Sequence, residues 1–135
     1  HRVRFVLVGA HALAVHGIPR ATADLDLFVE PSRTNAARLS RAIFEFGFVE
    51  LSRAITAAMA KGRRMFRMGE PPLRIDVMNA IDGVSFARSW SGKVGVAVAG
   101  MRLWAIGYRE LCDNKRAAGR RKDIADLEAL RRIRR

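Results

Sequence analysis

Asp24-Leu25-Asp26 places two carboxylates two positions apart in a run that alternates like a strand. Successive strand side chains point to opposite faces, so Asp24 and Asp26 share a face with Phe28, while Leu25, Leu27 and Val29 take the other. Like charges held this close repel unless a cation sits between them. Hard oxygen donors at short spacing suit Mg2+ or Mn2+. An ordinary solvated strand face gives the same pattern, so context decides. Upstream, Gly9-Ala10 ends an apolar run and opens a helical one. A glycine there either lets backbone N–H groups approach a phosphate or simply makes a tight turn. Downstream, Asp76 lies in Leu73-Arg74-Ile75-Asp76-Val77-Met78. Ile75 and Val77 are expected to face the core, with Asp76 on the polar face beside Arg74. A third carboxylate on a neighbouring strand would complete a two-metal site, which clamps the attacking and leaving oxygens of a phosphoryl transfer.

These residues need a scaffold. Val3 to Val8 reads as a buried strand, and Ala10 to His16 as a helix stopped by Gly17 and Pro19. The carboxylate strand spans Asp24 to Val29. Pro31-Ser32 opens a helix with Ala36, Leu39, Ile43 and Phe46 on one face and Gly47 as its stop. Leu51 to Lys61 reads as helix or irregular. Arg64 to Gly69 and Leu73 to Met78 read as strands around a Glu70-Pro71-Pro72 turn. A short helix is expected over Val84 to Trp90, strands over Lys93 to Val98 and Met101 to Ile106, and helices over Tyr108 to Ala118 and Lys122 to Ile133. In the last helix Ile124, Leu127, Leu130 and Ile133 form a stripe expected to face the core. The order predicts an α/β (α+β) fold: a small mixed β-sheet flanked by helices, with C-terminal helices. The 135 residues read as one domain, with a core over about 1–106 and a helical part over about 107–135.

Half the residues are hydrophobic and 28% are charged, which excludes disordered, collagenous and disulfide-scaffold classes. The net charge of +12 suits a polyanionic partner, nucleic acid or a phosphate-rich ligand. The basic residues are 21 Arg and 4 Lys in an Ala- and Val-rich chain, a bias that GC-rich codon usage also produces. Cys112 is the single cysteine, so a reducing cytoplasm is expected. No apolar run approaches the roughly 18 residues of a membrane span, and no signal-peptide pattern opens the sequence. No membrane partner is expected.

The run Val8-Gly9-Ala10-His11-Ala12, then His16-Gly17, Arg20, Thr22 and Asp24-Leu25-Asp26-Leu27, resembles the opening of minimal nucleotidyltransferases of the DNA polymerase β-like superfamily. Their signature is a Gly-Ser or Gly-Gly turn, a two-carboxylate strand, and a third carboxylate on a later strand, a position that Asp76 fits. The stretch Asn114 to Leu127, with Lys115, Arg120, Asp123 and Asp126, resembles the Lys…Arg-x-x-Asp-x-x-Asp-Leu motif of the toxin-type branch, which includes AbiE-like toxins of toxin–antitoxin systems. The resemblance covers nearly the whole chain. It implies that Asp24, Asp26 and Asp76 bind Mg2+ or Mn2+, and that Asp76 helps deprotonate the attacking hydroxyl. It implies that Gly9 and Ala10 offer backbone donors to phosphates, that Lys115 reaches the triphosphate, that Asp123 orients Lys115 or an Arg, and that Arg20, Thr22 and Arg120 contact phosphate or acceptor. Ala10 stands where the signature has Ser, whose hydroxyl contacts a phosphate. Either Thr22 or a backbone donor compensates, or nucleotide binding is weaker.

Three functions follow from this reading. The first is metal-dependent transfer of a nucleoside monophosphate from an NTP to a hydroxyl, on an RNA or tRNA 3′ end, a protein or a small molecule, in a toxin–antitoxin setting. The second is an antitoxin-type enzyme that modifies or neutralises a partner protein. The third is a non-catalytic basic module that binds nucleic acid. Residues 109–135 carry ten Lys/Arg against five Asp/Glu, which suits an RNA backbone. Arg131, Arg132, Arg134 and Arg135 are left as an RNA-tracking face, a partner surface or codon bias. His11 and His16 read as core or surface residues and Asp126 as an ion-pair partner. Trp90, Trp104, Phe44, Phe46, Phe66, Met59, Met65 and Met68 read as packing.

Overall fold

The structure is a computed structural model and describes residues 1–134, so Arg135 lies outside the described residues. In chain order the elements are β1 (Phe5–Val8), α1 (Gly9–Val15), β2 (Asp24–Val29), α2 (Arg33–Phe46), α3 (Val49–Met59), β3 (Met65–Met68), β4 (Arg74–Met78), α4 (Phe86–Ser91), β5 (Val94–Val98), β6 (Met101–Ala105), α5 (Tyr108–Ala118) and α6 (Arg121–Ile133). The strands form one six-stranded sheet in the order β3-β4-β2-β1-β6-β5. It is mixed: β2 runs parallel to β4 and β1 to β6, while β1–β2, β3–β4 and β5–β6 are antiparallel. The mixed α/β architecture with flanking helices matches the expectation, and Leu51 to Lys61 resolves as helix α3.

Strand alternation divides the core between the two faces of the sheet. Val6, Val8 and Phe28 point to one side and pack with Leu13, Phe86, Leu111 and Leu130 of α1, α4, α5 and α6. Val29 and Val77 point to the other side and pack with Leu39, Ile43, Ile55 and Met59 of α2 and α3. Both faces of β2 are therefore covered, and its open end is the one that carries Asp24 and Asp26. Sequence signals fix the helix ends: the Ser32 side chain accepts from the Asn35 N–H to cap α2, and Gly47 ends that helix at φ +107°.

Two apolar stripes differ from expectation. Ile124 and Ile133 are about half exposed, and the buried face of α6 is Asp123, Asp126, Leu127 and Leu130. The helix is rotated because two carboxylates, held by Lys115, occupy the inward face. Phe44 and Phe46 are exposed rather than core. They lie in the last turn of α2, next to Gly47, and Phe46 stacks on Phe48 with ring centroids 5.9 Å apart. Met65 is exposed as well, because it faces the cavity side of β3. Trp90, Trp104 and Phe66 pack against the core as expected.

Asn35 ties α2 to the sheet. Its Oδ1 accepts from the Arg4 N–H at 2.8 Å, and its Nδ2 donates to the carbonyls of Arg4 and Glu30 at 3.0 and 2.9 Å. The side chain is buried, so nothing replaces those bonds when it is lost. Asn35→Ala is expected to destabilise the protein by about 1–3 kcal/mol, read as a lower urea midpoint with an unchanged slope.

Candidate active site

The C-terminal end of β1 and the N-terminal ends of β2 and β4 open into a cavity of about 590 Å3, which α5 and α6 border from the other side. Parallel register between β2 and β4 sets Asp26 directly opposite Asp76 and Asp24 opposite Arg74. All four project to the cavity side, because Leu27, Ile75 and Val77 pack against the opposite core. The structure thus sets Asp24, Asp26 and Asp76 on one face of the sheet at one cavity. Gly9, Ala10, Arg20, Thr22, Lys115 and Arg120 also line this cavity. Asp123 stands behind it, fully buried.

Gly9 is there for space. Its φ is +65°, and a Cβ at this position would collide with Asp26 Oδ2. Backbone and carboxylate approach each other as closely as the absence of a side chain permits. Thr22 fixes the start of β2: its hydroxyl accepts from the Asp24 N–H and donates to the Asp24 carbonyl, each at 3.1 Å. Its hydroxyl is engaged on both sides by the Asp24 backbone.

Two arginines that the sequence reading did not assign to the site complete the carboxylate cluster. Arg67 Nε donates to Asp76 Oδ1 at 3.0 Å. The Arg74 guanidinium bonds Asp24 Oδ2, and its Nε lies 3.7 Å from Asp76 Oδ1. Alternation places Arg74 beside Asp76, but the pairing of Arg67 with Asp76 depends on the β3–β4 register, which no local pattern encodes. Asp26 has no ion-pair partner among the described residues. Burial raises its carboxyl above the usual carboxylate range, the charges of Asp76 and Asp24 add to the rise, and His11 and Lys122 oppose it.

The donor chemistry fits a hard divalent cation. Asp24 Oδ1 is buried with no hydrogen-bond partner, and Asp26 is short of positive charge. As the side chains stand, no group of three acidic, His or Cys residues converges as a ready metal cage among the described residues. Arg67 engages Asp76, and Arg74 engages Asp24 and lies close to Asp76.

A second charge cluster forms the far wall. Lys115 is buried, and its Nζ lies 3.2 Å from Asp123 Oδ1 and 3.0 Å from Asp126 Oδ2. Both acids are 1% exposed, and each also holds an arginine: Asp123 bonds Arg120 Nε at 2.6 Å, and Asp126 pairs with Arg20 at 2.5 Å. For Asp123, burial works to raise the carboxyl, but hydrogen bonds from Arg120 and Lys115 and their charges outweigh it and hold it below the usual range. Arg20 and Arg120 keep 41% and 63% of their side chains exposed, so the wall presents guanidiniums to the cavity, with the buried Lys115 between them at the wall. His16 takes no part: its Nε2 is 2.7 Å from the Ile106 carbonyl.

No protein-family model matches the sequence, and a search of curated proteins finds no match. Among solved structures, the chain is similar to a Thermotoga maritima protein whose assignment as a nucleotidyltransferase is itself provisional. The identity is 16%, the TM-score is 0.56, and the match covers 98% of this chain and 83% of that one.

The raised Asp26 carboxyl has a consequence for stability. The folded state holds that proton more tightly than the unfolded chain, so stability declines as pH rises from the ordinary carboxylate range through the raised value, and the penalty is complete above it. Asp26→Asn is therefore expected to raise the melting temperature of the metal-free protein at neutral pH, with the gain shrinking toward pH 3. Equal melting temperatures of the two proteins at neutral pH would contradict the account of burial and like-charge repulsion at Asp26. The six-stranded mixed sheet, its flanking helices and the extent of the structural match together give this chain a nucleotidyltransferase-like fold.

Proposed function

We propose that the protein transfers a nucleoside monophosphate from an NTP to a hydroxyl acceptor. The observation that carries this reading is the Asp26–Asp76 register pair with Asp24 beside it, at the mouth of a cavity whose opposite wall is cationic. Asp24, Asp26 and Asp76 would hold Mg2+ or Mn2+, which supplies Lewis-acid stabilisation of the phosphate oxygens when bound. Asp76 takes the proton of the acceptor hydroxyl as its oxygen bonds the α-phosphorus, while the bond to pyrophosphate breaks. Arg20 and Arg120, each anchored on a buried acid, meet the charge that develops on the leaving pyrophosphate. Lys115 acts through them by holding Asp123 and Asp126 in place, and its position in the cavity wall leaves its charge within the field of the triphosphate. Gly9 and Ala10, at the start of α1 where no side chain caps the helix, offer backbone N–H groups.

The acceptor in this reading is an RNA 3′ end, tRNA above all, within a toxin–antitoxin pair in the cytoplasm. The basic surplus of the chain suits an RNA backbone. A second reading, an antitoxin-type enzyme acting on a partner protein, is favoured by one observation. Phe46 and Leu73 are 65% and 81% exposed at a second, more apolar cavity of about 430 Å3, which shares Thr22, Asp24 and Arg74 with the first. A non-catalytic basic module would explain the charge but not the clustered acids.

Each α-labelled NTP, incubated with total RNA and Mg2+ or Mn2+, separates these readings. Label on RNA supports the first and label on protein the second. Asp76→Ala is expected to lower transfer at least 100-fold, on the scale of a lost catalytic base. No metal-dependent label on RNA or protein would overturn the assignment as a transferase.

A further inference from the structure

We propose that Arg74 is a built-in counter-ion that a divalent cation must displace, so that it sets the metal affinity of the site; the inference rests on the transferase reading above. Three carboxylates against the guanidiniums of Arg67 and Arg74 leave the cluster with one negative charge. A bound divalent ion would turn it positive, so the ion competes with the guanidiniums for the carboxylates.

The two arginines are not equivalent. Arg67 pairs with Asp76 from an edge strand and is half exposed, so it can turn into solvent at little cost. Arg74 is mostly buried on the strand next to β2 and bonds Asp24, whose other oxygen has no partner. Its own Nε is also buried without an acceptor, 3.7 Å from Asp76 Oδ1. A guanidinium kept for stability alone would have its donors satisfied, because each buried donor without a partner is costly. Arg74 reaches toward two carboxylates and fully satisfies neither itself nor them. A small cation seated on Asp24 and Asp26 would use the orphaned Asp24 oxygen and the uncompensated charge of Asp26. It would also free Arg74, which lines both cavities, to meet an anionic group of the nucleotide or acceptor. Arg74 is in this sense a positioning residue: it holds Asp24 until metal arrives and limits how tightly metal is held.

The test is Mn2+ binding to the nucleotide-free protein, read as loss of the free-ion EPR signal, for wild type, Arg74→Gln, Arg74→Lys and Asp26→Asn, with circular dichroism to confirm folding. Arg74→Gln is expected to bind Mn2+ at least tenfold more tightly, because one repulsive charge contact near a protein surface is removed. Arg74→Lys should stay near wild type, because the charge is kept, and Asp26→Asn should lose most binding. Measurable wild-type binding that is equal or weaker in folded Arg74→Gln overturns the exchange while leaving the transferase reading intact. Absence of Mn2+ binding in both wild type and Arg74→Gln overturns the exchange together with metal dependence.

Discussion

Three carboxylates facing one cavity repel one another, and most of the local structure can be read as an answer to that repulsion. Parallel pairing of β2 and β4 sets Asp26 against Asp76, and alternation adds Asp24. Glycine at position 9 lets the β1–α1 turn come against Asp26, where any other residue would push it away. Arg67 and Arg74 neutralise part of the charge, and burial together with the charges of Asp76 and Asp24 leaves Asp26 with a raised carboxyl. A fold under selection for stability alone would disperse such charges. Keeping them together costs stability, a cost that the cation of the proposed function would offset.

The opposite wall solves a different electrostatic problem. Lys115, Asp123 and Asp126 are buried together, an arrangement whose desolvation cost is recovered only when geometry and hydrogen bonding are good. Here each acid meets Lys115 on one side and an arginine on the other; Asp123 also accepts from the Arg120 N–H at the start of α6, whereas Asp126 Oδ1 faces Arg20 without a hydrogen bond. The cluster joins α5 to α6 and, through Arg20, joins both to the segment that leads into β2. It thereby orders two guanidiniums on the cavity rim. The two clusters face each other across the cavity, three acids on the sheet and Arg20, Lys115 and Arg120 on the far wall, an arrangement that would suit the metal-bound polyphosphate of the proposed function.

Local rules made much of this legible. Period-two alternation put Asp24 with Asp26 and Asp76 with Arg74, Ser32 and Gly47 marked the ends of α2, and the Asp123–Lys115 pairing was implied only by the family resemblance. Long-range pairing was not legible. Arg67 joins the site through the β3–β4 register, which depends on the pairing of whole strands. In α6 the isoleucines at 124 and 133 suggested an apolar stripe, but tertiary ion pairing rotated the helix so that Asp123 and Asp126 point inward. Burial of a charge is set by its partners, which hydropathy alone does not register. Phe46 was misplaced because the apolar period of α2 continues one turn beyond the core it covers.

The central claim is that the three carboxylates gather metal to present a triphosphate to the arginine wall. A crystal structure with Mn2+ and a non-hydrolysable NTP analogue, phased at the manganese edge, tests it most directly. The account predicts anomalous density in contact with Asp24, Asp26 and Asp76, Arg74 withdrawn from Asp24, and the triphosphate against Arg20 and Arg120. A nucleotide bound elsewhere, with no manganese at these carboxylates and Arg74 still on Asp24, would contradict it.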